Sequence, residues 1–388
     1  MKPAVYVKQK LMSFIVSDFR RAISRTRGRM QRGRQATVHY FHQIDDPYSY
    51  MANQKLTVLK ERYTVNFITH TVSAPEARFQ GDSSRFRDWS LTDAKSIAPF
   101  YGVELPQNFG EESLRKVGQT ESGDRLRKQL GHYLSGAFYF EGEWYWGLDR
   151  LLHLERRLID IGMSREPNSL CVPRPEAESA TGAAAENVTL EYFPSLRSPY
   201  TAISFDRTID LVERSGVKLK LRPVMPMMMR GVPAPRPKQM YIMTDAKREA
   251  DYYGIPFGKI IDPFGEPVKR AFALFPYMEE IGRGVEYCSN YLRGAWAEGV
   301  DITTEAGLKS IVTRSGGDWE AAINRRDDWL SLLENNVKDM LDEGLWGVPS
   351  FRVSDTSTEA FSCWGQDRLW RVETEISRRA NANPTVTN

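Results

Sequence analysis

The chain has 388 residues, with 53 Lys or Arg against 50 Asp or Glu, for a formal net charge of +3. That length holds two domains with proper cores, and the near-balanced charge gives no whole-chain case for binding nucleic acid. Three widely separated cysteines, Cys171, Cys288 and Cys363, form no C-x-x-C pair, and the five histidines show no ligand spacing, which excludes a disulfide framework and leaves no metal motif.

Residues 1–36 carry ten Lys or Arg and a single acid, Asp18. Leu11, Phe14, Ile15, Phe19 and Ile23 fall at helical spacing, which predicts a basic amphipathic helix running into Arg25-Thr26-Arg27-Gly28-Arg29. Its apolar stretch is too short and too closely followed by arginines for a secretory signal. The competing expectations are peripheral contact with an anionic membrane surface and a solvated helix packed on the neighbouring domain. No apolar run in the chain approaches the length of a membrane span.

Residues 37–162 read as a first domain. A strand over Thr37 to Phe41 leads to a helix from Pro47 to about Arg62 and a strand from Thr64 to Thr71. Ala137 to Phe140 and Glu143 to Trp146 read as a hairpin turning at Glu141-Gly142, and a helix through Leu151, Leu154 and Leu158 closes the domain. Residues 163–187 lack periodicity and are rich in Pro, Ala and Gly, as a linker is.

Residues 188–378 form a second domain, and 379–388 a polar tail. Val188 to Phe193 reads as a half-buried strand, and helical spacing begins after Pro199. Proline is favoured in a first helical turn, so Ser198 sits at or next to the N-cap. Unpaired backbone N–H groups and the positive end of the helix dipole meet there, a place that stabilises an anion. Plain capping is the competing reading of Ser198. A strand over Val217 to Leu221, helices within 245–342, strands at Phe351 to Val353 and Ala360 to Cys363, and a final helix follow.

The two domains echo each other. Tyr40-Phe41 precedes Pro47-Tyr48 by the spacing at which Tyr192-Phe193 precedes Pro199-Tyr200. Downstream, Trp146-Gly147-Leu148-Asp149-Arg150-Leu151 matches Trp364-Gly365-Gln366-Asp367-Arg368-Leu369. Two matches in the same order indicate a tandem duplication. The offset grows from 152 at the proline to 218 at the glycine, which gives the second copy an insertion of 66 residues.

Strand, Ser198-Pro199-Tyr200, helix, Gly347-Val348-Pro349-Ser350-Phe351 and Trp364-Gly365-Gln366-Asp367-Arg368-Leu369, in that order, resemble the DsbA-like branch of the thioredoxin fold. Within that branch the chain is most similar to 2-hydroxychromene-2-carboxylate isomerase and kappa-class glutathione transferase. The resemblance covers most of 188–378 and, in truncated form, 37–162. It implies an α/β fold of two thioredoxin-like domains in tandem, the second with a large helical insertion. Dithiol exchange needs two cysteines, and both copies lack them at the helix start.

The resemblance further implies a glutathione-dependent isomerase or transferase acting on a small aromatic or conjugated substrate. Ser198 would stabilise the cofactor thiolate with a charge-assisted hydrogen bond, and that thiolate adds reversibly to a conjugated system. Val348-Pro349 would be a cis pair meeting the cofactor backbone, Gln366 and Asp367 would receive its γ-glutamyl end, and Lys238 would match a binding lysine. Capping is the competing reading of Asp367. The family's loop asparagine has no counterpart between Arg222 and Lys238. Tyr200, Met225 and Met228 would border the substrate pocket, with ordinary core the alternative for the methionines. In the first copy Asp46 replaces the serine and Gly136 the cis-proline, which reads as a non-catalytic partner domain.

The alternative from another class is a non-catalytic binding or scaffold protein. The expected location is cytoplasmic. Expected partners are a small-molecule substrate, no nucleic acid, an anionic membrane surface at residues 1–36, and a second copy of the chain as a candidate.

Overall fold

A computed structural model describes residues 2–31, 35–106, 109, 119–178, 185–325, 328–345, 347–356 and 358–382. Part of the expected linker, most of the expected tail and residues 32–34 of the basic extension lie outside the described residues. The chain divides into two compact units, one of Asp18–Glu176 with Pro233–Tyr241, the other of Met1–Ser17, Ala177–Val232 and Ile242–Asn388. The basic extension is two helices rather than one, α1 (Pro3–Ile15) and α2 (Asp18–Gln31). The break falls where Ser17 turns its hydroxyl back onto the Phe14 carbonyl at 2.8 Å.

The N-terminal unit contains α2, β1 (Thr37–His42), α3 (Pro47–Gln54), α4 (Leu56–Arg62), β2 (Asn66–Thr71), α5 (Ala77–Gln80), α6 (Ser83–Ile97) and α7 (Glu121–Gln129). The hairpin β3 (Ala137–Phe140) and β4 (Glu143–Trp146) and then α8 (Leu151–Asp160) complete it. Its sheet runs β2-β1-β3-β4, with β1 parallel to β2 and antiparallel to β3. The hairpin turns at Glu141 (φ 38°) and Gly142 (φ 86°), the positive-φ pair a tight two-residue turn requires. On β1, Val38, Tyr40 and Phe41 are fully buried, and Tyr40 stacks on Phe138 with centroids 4.6 Å apart. The helix expected from Pro47 to Arg62 breaks at Lys55.

Charge and a close backbone approach hold α2 to this unit. Arg25 Nε lies 2.8 Å from Glu143 Oε2, and the buried Arg157 lies 3.0 Å from the same oxygen. Gly28 sits so near the hairpin turn that a Cβ would stand 2.2 Å from the Glu141 carbonyl carbon. The opposite side of α2 leaves Phe19 (68 %) and Met30 (79 %) exposed.

The C-terminal unit contains α1, β5 (Thr189–Phe193), α9 (Pro199–Ser215), β6 (Lys218–Leu221) and the part of α10 (Arg236–Tyr253) from Ile242 onward. The helical insertion follows as α11 (Glu266–Glu280), α12 (Gly284–Arg293), α13 (Glu305–Arg314), α14 (Trp319–Asn324) and α15 (Trp329–Asp342). Then come β7 (Ser350–Ser354), β8 (Phe361–Trp364) and α16 (Leu369–Ala382). The sheet order β6-β5-β7-β8 and the strand directions repeat those of the first sheet. Tyr192 and Phe351 stack at 5.1 Å, in the places of Tyr40 and Phe138. Full burial of such a side chain contributes roughly 1.5–3 kcal/mol, so the paired aromatics anchor the centre of each sheet. No described helix is long and apolar enough to cross a membrane.

Candidate active site

β5 delivers the chain to a short loop in which the Ser198 N–H donates to the Ser195 carbonyl at 3.0 Å. Ser198 is extended (φ −97°, ψ 121°) and caps α9, its Oγ accepting the Thr201 N–H at 3.1 Å. Thr201 in turn accepts the Ser195 N–H at 3.3 Å through its hydroxyl. Ser198 is 8 % exposed. Among the described residues its hydroxyl proton meets no acceptor, and the first turn of α9 carries no acidic residue to compete for the helix N-terminus. A hydroxyl whose oxygen is already used as an acceptor keeps its proton to donate.

The register of the sheet brings the second candidate element to this end. Ser350, the first residue of β7, pairs with Phe193, the last residue of β5. Val348 and Pro349 immediately precede it and are joined by a cis peptide bond. The Pro349 carbonyl accepts the Gly365 N–H at 2.9 Å, which ties it to the turn opening α16.

Arg197, next to Ser198, is paired. Its Nε lies 3.0 Å from Asp262 Oδ1, its guanidinium lies over Phe264 at 4.6 Å, and one of its terminal nitrogens contacts Met228 Sδ at 3.2 Å. Lys8 of α1 reaches the same carboxylate at 3.1 Å. Burial alone would raise the Asp262 carboxyl, but the Arg197 and Lys8 charges outweigh it and hold it below the ordinary range. Tyr200 donates to Asp245 Oδ2 at 2.9 Å and packs on Ile203, Ala246 and Ala250. Met225 is half-buried.

Two expected cofactor contacts are engaged elsewhere. The Gln366 side-chain N–H donates to Glu249 at 2.7 Å, and its carbonyl accepts from Arg207 at 3.4 Å, so both ends of the amide are in use and the residue is 2 % exposed. Lys238 belongs to the N-terminal unit, where its Nζ donates to the Phe79 carbonyl at 2.6 Å and burial lowers its pKa to about 8. Asp367 stands at the turn before α16, its Oδ1 3.9 Å from Arg368.

Sequence reasoning passed over the acids of α10. Asp245 and Glu249 are both fully buried, and they hold Tyr200 and Gln366 respectively. Their four-residue spacing, with Arg248 between them, was the available signal for one polar stripe facing inward. Burial raises Cys288, and burial and then Glu155 raise Cys171 to about 12.

The N-terminal unit repeats this construction at residue numbers 152 lower. Asp46 Oδ2 accepts the Ser49 N–H at 2.8 Å, and Ser49 Oγ accepts the Gln43 N–H at 3.2 Å. Tyr48 donates to Asp93 at 2.7 Å as Tyr200 does to Asp245. Gly102 and Gly254 both turn left-handed, at φ 56° and 67°. Beyond that point the numbering difference rises to 213 where Ala137 and Ser350 pair with Phe41 and Phe193, and to 218 at Gly147 and Gly365. The numbering difference therefore grows in two steps, a large one before β7 and a small one inside the β7–β8 hairpin.

Residues 189–377 match the model of the DSBA-like thioredoxin domain family. A search of curated proteins found no match. Solved structures similar to the chain include a 2-hydroxychromene-2-carboxylate isomerase, at 19 % identity and TM-score 0.44, over 52 % of this chain and 100 % of that one. A probable DsbA oxidoreductase of Streptomyces coelicolor is similar at 16 % identity and TM-score 0.39, over 52 % of this chain and 93 % of its own. The cytosolic disulfide reductase DsbM of Pseudomonas aeruginosa, solved with GSH, is similar at 18 % identity and TM-score 0.39, over 49 % and 99 %. The C-terminal half of this α/β chain, residues 189–377, is a DSBA-like thioredoxin domain.

Proposed function

We propose that the C-terminal unit acts as a glutathione-dependent isomerase or transferase on a small aromatic or conjugated substrate, with Ser198 as its anion-stabilising group. The observation that carries this reading is the state of the Ser198 hydroxyl, which accepts the Thr201 N–H and keeps its proton free at an unneutralised helix start. Glutathione would supply a thiol whose ionised form adds reversibly to a conjugated carbonyl compound. Ser198 would donate its proton to the anion, and the α9 terminus would favour the charge. Val348 and Pro349 would meet the peptide backbone of the cofactor, Asp367 its amino end, and Tyr200, Met225 and Met228 the substrate. Ser198-Pro199-Tyr200-Thr201 offers no thiol for dithiol exchange.

The engaged Gln366 amide and the placement of Lys238 favour a second reading, a thioredoxin-like binding or scaffold protein without catalysis. Glutathione-dependent turnover of conjugated ketones by the full chain separates the two. The enzyme reading expects turnover that Ser198→Ala lowers, and the scaffold reading expects none in either protein.

We also infer that the chain arose by tandem duplication into domains 37–162 and 188–378, a reading supported by the hydrogen bonds that recur 152 residues apart. The exposed Phe19 and Met30 among the arginines of α2 support contact of residues 1–36 with an anionic membrane surface.

A further inference from the structure

The N-terminal unit holds a cavity of about 80 Å³ at the start of α3, the place that corresponds to Ser198 in the other unit. Gln43, Asp45, Asp46, Phe86 and Trp146 are among the residues lining it. Asp46 is 8 % exposed, and its Oδ2 takes three hydrogen bonds: the Ser49 N–H at 2.8 Å, the Ser49 hydroxyl at 2.7 Å and the Ser135 hydroxyl at 3.3 Å. Its Oδ1 has no partner among the described residues, and no Lys or Arg pairs with it. Asp45 stands beside it, accepting the Gln43 side-chain N–H at 2.9 Å. That bond orients the Gln43 amide, and among the described residues its Oε1 has no partner, in a side chain also 8 % exposed.

These groups have one need in common. A buried carboxylate without a counter-charge is costly, and so is a buried carbonyl oxygen without a donor. Burial raises the Asp46 carboxyl and the neighbouring Asp45 charge adds to the rise, while the Ser49 and Ser135 bonds oppose it. Asp46 Oδ1 and Gln43 Oε1 are thus acceptors for which no donor is supplied among the described residues. Arg87 also lines the cavity but is exposed and can turn into solvent. Gly136 completes the close fit, since a Cβ there would stand 3.3 Å from Asp46 Oδ2.

We propose that this cavity binds a small organic ammonium ion, its N–H groups shared between Asp46 Oδ1, Asp45 and Gln43 Oε1 and its apolar body resting on Trp146 and Phe86. An ammonium supplies three donors and one positive charge, which is what these acceptors lack. The aromatic rings favour a cation close to their faces. The polarity is the reverse of that around Ser198, where the free proton suits an anion, so the two helix starts would serve opposite charges.

Calorimetric titration of the full chain with phenethylamine, phenethyl alcohol and 3-phenylpropionate tests this. We expect phenethylamine to bind, the alcohol to bind at least tenfold more weakly and the carboxylate not to bind. Asp46→Asn keeps an equally good N-cap and should weaken the amine at least tenfold, and Gln43→Leu, which leaves the cap untouched, should weaken it severalfold. Equal binding of amine and alcohol, no amine binding at 10 mM, or amine binding unchanged in both folded variants would overturn the proposal.

Discussion

Thr201 donates its backbone N–H to the Ser198 hydroxyl at 3.1 Å, and that bond fixes which half of the hydroxyl remains for chemistry. With the oxygen accepting that N–H, the hydroxyl proton remains to be donated to a group at the helix start. Ser198→Ala loses both the cap and the donor. The donor to a charged acceptor is worth roughly 1.5–3 kcal/mol, so turnover should fall by about one to two decades. Ser198→Asp separates the two roles, because aspartate caps as well as serine but presents a negative charge where an anion must sit. We expect Ser198→Asp to fold with wild-type stability and to lose turnover at least as severely as Ser198→Ala. A fully active Ser198→Asp would reduce Ser198 to a cap.

His132 gives the N-terminal unit an acid sensitivity. It is buried, stacked on Trp144 with centroids 4.3 Å apart, and neither ring nitrogen has a partner among the described residues. Burial, helped by the Arg127 charge, lowers its pKa to about 3. The unfolded chain, with an ordinary histidine near 6.5, binds the proton first as pH falls. Stability is therefore undiminished above about 6.5 and drops by about 1.4 kcal/mol per pH unit between there and about 3. Urea unfolding of this unit at pH 7 and pH 5 should show a loss of about 2 kcal/mol. In His132→Phe most of that loss should vanish, and a loss as large as in the wild type would count against the buried, neutral ring.

Gly28→Ala should release α2. Its Cβ would stand 2.2 Å from the Glu141 carbonyl carbon, and backbone on both sides leaves nothing flexible to give way. Undocking would also separate Arg25 from Glu143. Limited proteolysis should cut the 18–36 segment faster in the variant while the remainder of the unit stays resistant. Unchanged protection would show that the helix docks in another way.

If α2 meets anionic lipid, sedimentation with vesicles containing phosphatidylserine should carry the protein down at low salt and much less at high salt. Phe19→Glu with Met30→Glu should abolish the effect without disturbing the salt bridges on the opposite side of the helix. Equal sedimentation with neutral phosphatidylcholine vesicles would argue against charge as the cause.

Much of the fold was legible because its signals are local. The hairpin at Glu141-Gly142 falls on the expected residues, since alternation and a positive-φ turn act over only a few positions. The paired Trp-Gly-x-Asp-Arg-Leu segments each start at the end of the last strand of a sheet, and the two sheets share one strand order. The site was legible only in part. Gln366 matched a motif position, yet its amide lies between Glu249 and Arg207, which are 117 and 159 residues away in sequence. Lys238 matched a lysine of the resembling family, but the fold sends its amine to the Phe79 carbonyl. The cavity beside Asp46 was hidden because a carboxylate at a helix start reads as a cap, and sequence does not say whether a cation stands near it.

Titration of the thiol of bound glutathione, followed by thiolate absorbance in the full chain and in Ser198→Ala, tests the role of Ser198 most directly. We expect the thiol pKa to fall on binding to the wild type and to rise again by about one to two units in Ser198→Ala, the equivalent of one hydrogen bond to a charged acceptor. Glutathione that does not bind, or that titrates in the wild type as it does free in solution, would contradict it.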